Sequence, residues 1–396
     1  MSLQTGGFAA GAAEPTAPQV RALLDRAVGF PGLAEKYRGA ADRRAADLRI
    51  LDPLSAEELR AAVWSGVRGG LAKDRGAVLY LGGGTTAEPS ATLVPSCLFA
   101  GDILRAWSPL APGDVLLNLS RGTRLWPVHD LCNALAALSG CSAIPYGTPD
   151  ADDLGRLVDF FEQCGATALA ADTPTLRALL EHCRLTGRRP DWLRTLLWVG
   201  VGLDGATARL LAEVLPDAAV WGLYGSVETW AIGCNGPRCA RDVFHPLPHQ
   251  YVELVDGEIL VSTLHELAVT PLVRYRTGDT GEFADCPCGA PQPGIRVLGR
   301  SADVLSFRGA RFGRAELVAL AASVEEVAAA GAEVLDAGLP TERLQLSVRT
   351  VEGAPSDRYL CDWVRECVLA RHLTLRQAVA GAPDAFEVVA AAVPTG

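Results

Sequence analysis

Leu79-Tyr80-Leu81-Gly82-Gly83-Gly84-Thr85-Thr86-Ala87-Glu88-Pro89-Ser90 is an apolar run that stops abruptly at three glycines and two hydroxyls. Glycines let the backbone approach an anion closely, and Thr85 and Thr86 add hydroxyl donors beside whatever N–H groups the turn exposes. Taken alone, the stretch fits a phosphate cradle or a tight surface turn. It is not a Walker loop, because no Gly-Lys-Ser/Thr follows at the required spacing.

Outward from this loop, residues 77–81 are the first of a series of short apolar runs, followed by 115–119, 168–171, 196–199 and 219–223. Amphipathic stretches such as 175–183 separate them, and such alternation predicts layered α/β structure. Residues 20–70 carry helical spacing, with Leu23, Leu24 and Val28, then Leu59, Val63 and Val67, broken at Pro31 and Pro53. They form a helical preface. Residues 250–298 turn to strand patterning, with turn signals at Asp256-Gly257 and Thr277-Gly278. A boundary falls near 299–303, beyond which come a strand at 304–307, a helix at 314–326, alternation at Leu344, Leu346 and Val348, and a helix over about 356–372. The fold class expected is α/β. A large domain spans 1–298, with a β-rich subdomain over about 234–298, and a small α+β domain spans 299–396.

With 396 residues and 49% hydrophobic content the chain can bury a large core. A net charge of −10 argues against a nucleic-acid partner held by bulk electrostatics, and no apolar run approaches the roughly 20 residues that span a membrane. The first 19 residues lack a basic segment followed by an apolar core, so a cytoplasmic protein with a small-molecule partner is expected. The odd number of cysteines, 11, fits reduced thiols. Cys97, Cys132, Cys141, Cys164, Cys183, Cys361 and Cys367 stand in apolar or helical context and are expected to act as small buried hydrophobes. Cys234, Cys239, Cys286 and Cys288 do not.

Three further motifs bear on the glycine loop. Trp221-Gly222-Leu223-Tyr224-Gly225-Ser226-Val227-Glu228 is a strand end opening into a glycine turn, where Glu228 can hold Mg²⁺ against phosphates and the Tyr224 ring can stack on a base. Arg274-Tyr275-Arg276-Thr277-Gly278-Asp279 presents Asp279, whose two oxygens can accept both hydroxyls of a ribose. Gly299-Arg300-Ser301-Ala302-Asp303 places Arg300 to pair with nucleotide oxygens. Each taken singly is matched by a plain turn, a hairpin or a solvated basic loop.

In this order and at these separations the four motifs resemble the adenylate-forming superfamily of acyl- and aryl-CoA synthetases, most closely its phenylacetate-CoA ligase branch. The family's phosphate loop, Ser-Gly-Thr-Thr-Gly-Lys-Pro, falls on residues 83–89, so Gly83, Gly84, Thr85 and Thr86 match positions that hold phosphates. Its Tyr-Gly-x-Ser/Thr-Glu motif falls on Tyr224, Gly225 and Glu228. Its ribose-binding aspartate falls on Asp279 and its interdomain Gly-Arg on Gly299-Arg300. The resemblance makes Asp303 the hinge of a mobile C-terminal domain and makes Val201 and Gly202 neighbours of adenine. It sets Trp126 and His129 where the family builds its acyl pocket, although from the residues alone a satisfied structural histidine is the better reading of both His129 and His265.

The same branch can carry a structural zinc. Cys286-Pro287-Cys288-Gly289 offers two thiolates on one turn, and Cys239 with His245 offers two more ligands, with Cys234 and His249 as alternatives. The spacing departs from the common Cys-x-x-Cys knuckle, which keeps unliganded thiols in a turn as the alternative. A competing motif, Gly200-Val201-Gly202-Leu203-Asp204-Gly205, matches the dinucleotide fingerprint of an NAD-dependent oxidoreductase, but no acid ends a strand about 20 residues on.

The departures from the family pattern are specific. Lys36 and Lys73 are the only lysines, so none serves as the C-terminal lysine, and the sequence given stops near where that lysine's loop would begin. Glu88 stands at the usual lysine of the phosphate loop, and Val227 replaces a hydroxyl residue. The resemblance implies ATP-dependent adenylation of an organic acid, aromatic by the branch, with release of pyrophosphate. Acyl transfer to CoA, a carrier-protein thiol or an amine follows, with ATP, Mg²⁺, CoA and a structural Zn²⁺ as ligands. A homodimer is compatible with it. A catalytically reduced nucleotide-binding or scaffold protein of the same fold is the alternative.

Overall fold

The computed structural model describes residues 14–70, 76–82, 90–122, 127–150, 153–199, 202–203, 205–300, 304–308, 310–336, 341–351 and 358–390. The chain divides into two compact units, Met1–Thr277 with Glu282–Val297, and Gly278–Gly281 with Leu298–Gly396. Among the described residues no helix is long and apolar enough to cross a membrane.

The first unit opens with the helices Ala17–Gly29, Ala34–Asp42 and Ala56–Arg68. The third starts at a capping box: Ser55 Oγ accepts from the Glu58 N–H while Glu58 Oε2 accepts from the Ser55 N–H at 2.8 Å. The apolar faces of these helices, with Leu23, Leu24, Leu59 and Val63, bury against Tyr251, Leu272, Val273 and Tyr275.

Strands β1 (Ala77–Gly82) and β2 (Ser90–Pro95) pair antiparallel as a separate two-stranded sheet, with Gly82 opposite Ser90. The run at 77–81, expected among the layered strands, is thus the leg of a hairpin. Its continuous hydrophobicity has a simple cause: Tyr80 packs into one core cluster while Leu79 and Leu81, on the other face, pack into a second.

The main sheet joins β3 (Val115–Asn118), β4 (Ser142–Ile144), β5 (Ala168–Ala171), β6 (Thr195–Val199), β7 (Ala219–Ser226), β8 (Trp230–Asn235), β9 (Val243–Pro246), β10 (Gln250–Val255), β11 (Glu258–Thr263), β12 (Tyr275–Ala284) and β13 (Gly294–Arg300). Their order is β10-β11-β12-β13-β9-β8-β7-β6-β5-β3-β4. The pairs β4–β3, β3–β5, β5–β6 and β6–β7 are parallel, a doubly wound block of order 2-1-3-4-5. Leu117, Leu169 and Leu196 face the helices Leu154–Gln163, Thr173–Thr186 and Gly205–Val214, while Leu116, Ala168 and Leu197 face the cluster of Ile103, Leu131 and Leu135. Both faces are covered, so these strands read as unbroken apolar runs. From β7 onward the sheet reverses, with β7–β8, β8–β9, β9–β13 and β10–β11 antiparallel. The strand-rich stretch of residues 234–298 is therefore the antiparallel end of one sheet, not a sheet of its own.

In the second unit β14 (Val304–Phe307) and β15 (Ala310–Gly313) form a hairpin, and β16 (Val327–Leu335), β17 (Arg343–Thr350) and β18 (Phe386–Ala390) form a three-stranded sheet. Leu317, Leu344, Leu346, Val364, Val368 and Phe386 fill its core. The helix expected over 314–326 ends at Ala321, and tight turns over 322–326, with the Ser323 and Val324 N–H groups donating to the carbonyls of Leu320 and Ala321, lead into strand β16. The helix expected to reach 372 ends at Arg371, where His372 Nδ1 accepts from the Leu375 N–H at 3.0 Å as the next helix, Leu373–Ala378, begins.

All 11 cysteines are free. Cys132 and Cys183 are buried as expected, but Cys97 and Cys164 are exposed: one lies in the turn after β2 and the other caps the helix Leu154–Gln163.

A buried ion pair ties the helical preface to the antiparallel strands. Arg274 Nε meets Glu253 Oε2 at 3.0 Å, and Arg274 Nη1 donates to the carbonyl oxygens of Arg49 and Leu51 at 3.0 and 2.7 Å. Burial pushes the Glu253 carboxyl up, while the Arg274 guanidinium pulls against that shift. Replacing Arg274 with leucine strands the carboxylate and two carbonyls, and is expected to cost about 3–5 kcal/mol of stability in urea unfolding.

Candidate active site

In a doubly wound sheet, ligands sit outside the carboxyl ends of the strands. The ends of β3, β5, β6 and β7 carry Asn118 to Ser120, Asp172 and Thr173, Gly202, and Glu228 respectively. Glu228 is half-buried at the tip between β7 and β8. The tip is closed from within: the Ser226 N–H donates to Thr229 Oγ1 at 3.0 Å and the Thr229 N–H donates to Ser226 Oγ at 3.2 Å. Val227 is buried in the core cluster that holds Tyr80 and Trp230, so the residue standing in place of a hydroxyl points inward.

Gly225 has a packing reason of its own, since a Cβ there would run into the carbonyl oxygen of Trp230. The Tyr224 ring is buried beside Phe244, with centroids 5.5 Å apart, in a cluster with Trp198 and Ile232. Gly202 is exposed with open space around it, and its carbonyl accepts from Thr173 Oγ1 at 3.4 Å.

Asn118 organises the end of β3. Fully buried, it donates through Nδ2 to the His129 carbonyl and to Asn133 Oδ1, both at 2.9 Å, and accepts through Oδ1 from the Ser120 N–H and hydroxyl. His129, at the start of the helix Val128–Leu138, has Nδ1 2.9 Å from the Ser120 carbonyl. A carbonyl partner makes Nδ1 the protonated nitrogen and leaves Nε2 an acceptor in the neutral ring. Next to it, Asp130 Oδ2 accepts from Tyr80 Oη at 2.9 Å.

Gly83, Gly84, Thr85, Thr86, Trp126, Val201 and Asp303 lie outside the described residues. Asp279 and Arg300 belong to the second unit. Asp279 is buried midway along β12, and Arg300 ends β13 with its side chain outside those described.

Cys239, His245, Cys286 and Cys288 are brought together, their ligand atoms all within 4.8 Å of one another. Cys288 Sγ is 3.3 Å from His245 Nε2. Burial pushes the Cys239 thiol up. Burial works against ionisation of Cys286 too, but the Cys288 N–H and the His245 ring draw it down to about 6. Cys234, weighed as an alternative ligand, is buried in the main core cluster. His249, the other alternative, stacks on Phe99 with centroids 5.5 Å apart.

Burial, with the His265 ring 5.6 Å away, lowers the His249 imidazole to about 4, while Asp102, 3.2 Å from His265 Nε2, opposes the shift. A histidine lowered from 6.5 in the unfolded chain to about 4 in the folded one stabilises above 6.5 and loses that contribution as pH falls toward 4. His249→Phe is therefore expected to flatten the pH dependence of unfolding free energy between pH 6.5 and about 4.

No protein-family model and no curated protein matches the sequence. Solved structures do match. The chain has the fold of adenylate-forming ligases. It is similar to 2-hydroxyisobutyryl-CoA ligase in an open conformation with 2-HIB-AMP and CoA, with 16% identity over 96% of this chain and 89% of that one and a TM-score of 0.71. It is also similar to ATP-bound MatB from Rhodopseudomonas palustris (18% identity, 80% of this chain, 65% of that one, TM-score 0.54). A third likeness is to the amide bond synthetase McbA from Marinactinospora thermotolerans (17% identity, 77% of this chain, 63% of that one, TM-score 0.53). Of the glycine pattern at 200–205, Gly202, Leu203 and Gly205 are described; they lead from β6 into the helix Gly205–Val214, and β7 after it runs into the Glu228 hairpin.

Proposed function

We propose that the chain is an AMP-forming acid ligase. A carboxylate oxygen of an organic acid attacks the α-phosphorus of ATP as the bond to pyrophosphate breaks. The acyl group then passes to CoA, a carrier-protein thiol or an amine. The observation that carries this reading is the likeness of fold over 96% of the chain to a ligase holding 2-HIB-AMP and CoA. The position of Glu228 at the carboxyl end of β7 agrees with it.

In this reading Gly83, Gly84, Thr85 and Thr86 hold the phosphates, Val201 and Gly202 border the adenine beside Tyr224 and Gly225, and Asp279 holds the ribose. Arg300 supports the nucleotide, and Asp303 is the hinge. Glu228 holds Mg²⁺, which would screen the phosphate charge. His129 and Trp126 line the acid pocket, where His129 Nε2 can accept from a donor on the acid. We take the acid to be aromatic and the phenylacetate-CoA ligase branch to be the nearest kin, both on the sequence motifs.

A second reading, a catalytically reduced nucleotide-binding or scaffold protein, is favoured by Glu88, a carboxylate where the family's phosphate loop has a lysine. ATP–pyrophosphate exchange across aromatic and small aliphatic acids separates the two. Acid-dependent exchange that falls about 100-fold or more in Glu228→Ala is the outcome expected of the ligase. Nucleotide binding without exchange under every acid speaks for the reduced protein.

Three thiols and an imidazole suit a tetrahedral Cys₃His zinc. Zinc held there would tie the segment around Cys239 and His245 to the turn of Cys286 and Cys288. About one zinc per chain is expected in the purified protein, with Cys286→Ser losing both zinc and thermal stability. A metal-free wild type of unchanged melting temperature removes the zinc.

A further inference from the structure

The hairpin that presents Glu228 is held by a residue in an unfavourable conformation. Trp230 has φ +60, in the left-handed region that bulky side chains avoid, and it follows the tip by two residues. A bulge lies beside it: Tyr224 pairs with Gly233 and Gly225 with Ala231. Such a backbone persists only when its surroundings over-determine it.

Three contacts do so. The Trp230 indole N–H donates to the Leu98 carbonyl at 3.0 Å, and its ring stacks on Tyr80 at 5.6 Å. The third comes from β10. Gln250 Nε2 donates to the carbonyls of Thr229 at 3.2 Å and Ala231 at 2.9 Å, the residues on either side of Trp230. Gln250 is only 2% exposed, and Thr263 Oγ1 donates to its Oε1 at 2.9 Å. The amide orientation is therefore fixed, since an oxygen turned toward two carbonyls would have no donor to meet.

We propose that Gln250 is a positioning residue of the adenylation site. By clamping the carbonyls on both sides of Trp230 it holds that residue left-handed, and so sets the direction in which Glu228 offers its carboxylate. Without the clamp the Trp230 backbone relaxes toward negative φ, and the Thr229–Trp230 peptide swings with it. Thr229 is bonded to Ser226 across the tip, so the swing reaches Glu228. The inference rests on the reading of Glu228 as the metal-holding residue.

The test uses Mn²⁺ as a paramagnetic stand-in for Mg²⁺, titrated by electron paramagnetic resonance into the full chain saturated with ATP. Wild type, Glu228→Gln, Gln250→Leu and Thr263→Val are compared, with melting temperatures measured alongside. Gln250→Leu is expected to weaken Mn²⁺ binding about tenfold or more, toward the loss in Glu228→Gln, and Thr263→Val to weaken it less, in the same direction. ATP affinity without metal stays within about twofold. A purely structural glutamine would lower the melting temperature and leave Mn²⁺ affinity unmoved, and that result overturns the proposal. If Gln250→Leu does not fold, Thr263→Val decides alone: unchanged Mn²⁺ affinity overturns it. Mn²⁺ binding indifferent to Glu228→Gln instead overturns the reading of Glu228, and the two failures are told apart by that control.

Discussion

The architecture turns on how closely β8 approaches β7. At Gly225 a Cβ would collide with the Trp230 carbonyl, and at Gly222 with the side chains of Asn235 and Trp198. Glycine at both places lets the chain fold back with no room for a side chain between the strands. The reversal falls where the sheet changes character: β7 closes the parallel block and β8 opens the antiparallel one. Glu228 stands at that junction, at the carboxyl edge of the first kind of sheet and the hairpin tip of the second. A larger residue at 225 would move β8, and with it the Trp230 ring that packs on β1.

Buried polar side chains give this apolar sheet one register. Asn118, Gln250 and Arg274 are each buried, and each meets carbonyls or side chains from other segments. A neutral hydrogen bond adds only about 1 kcal/mol when made, but a buried polar group left without a partner costs about 1–3 kcal/mol. The asymmetry penalises slipped pairings more than it rewards the correct one. Asn118 thus binds the end of β3 to the helix bearing His129, and Arg274 binds the 49–51 turn to the start of β12.

Much of this was legible in the sequence because burial on two faces leaves an uninterrupted apolar run. The parallel strands β3, β5, β6 and β7 stand where runs were read. What could not be read was partnership. The run before the glycine loop looked like its neighbours, yet it pairs with β2, because two different cores cover its faces. The cysteine–histidine set was nameable from ligand chemistry, but its convergence depends on β9 pairing with β13, a contact between segments some 50 residues apart. Gly225 read as a ligand contact and has at least a packing cause. Cys97 and Cys164 are exposed although their local context is apolar, because that context does not register a turn or a helix end. Asn118 does carry a signal in the sequence: a lone amide inside an apolar run is a buried polar group that must have partners. Gln250 carried none, since a glutamine at the start of a strand is unremarkable until its neighbours in space are known.

The departures from the ligase pattern divide along a physical line. At 83–86 the chain keeps glycines and threonines of the phosphate-loop pattern it resembles, groups that would hold phosphates by hydrogen bonding, whereas Glu88 stands where that pattern has a lysine. Neutral donors stabilise bound nucleotide and transition state to a similar degree. A cation aimed at the charge that develops as pyrophosphate leaves acts mainly on the transition state. On the proposed reading, exchanging that one cation for a carboxylate while keeping the donors falls on rate more than on binding. Val227, standing where the ligase pattern has a hydroxyl residue, completes the core under the hairpin. The rate of adenylation would then rest on charge supplied by arginine, by a metal held at Glu228, or by the acid's own substituents.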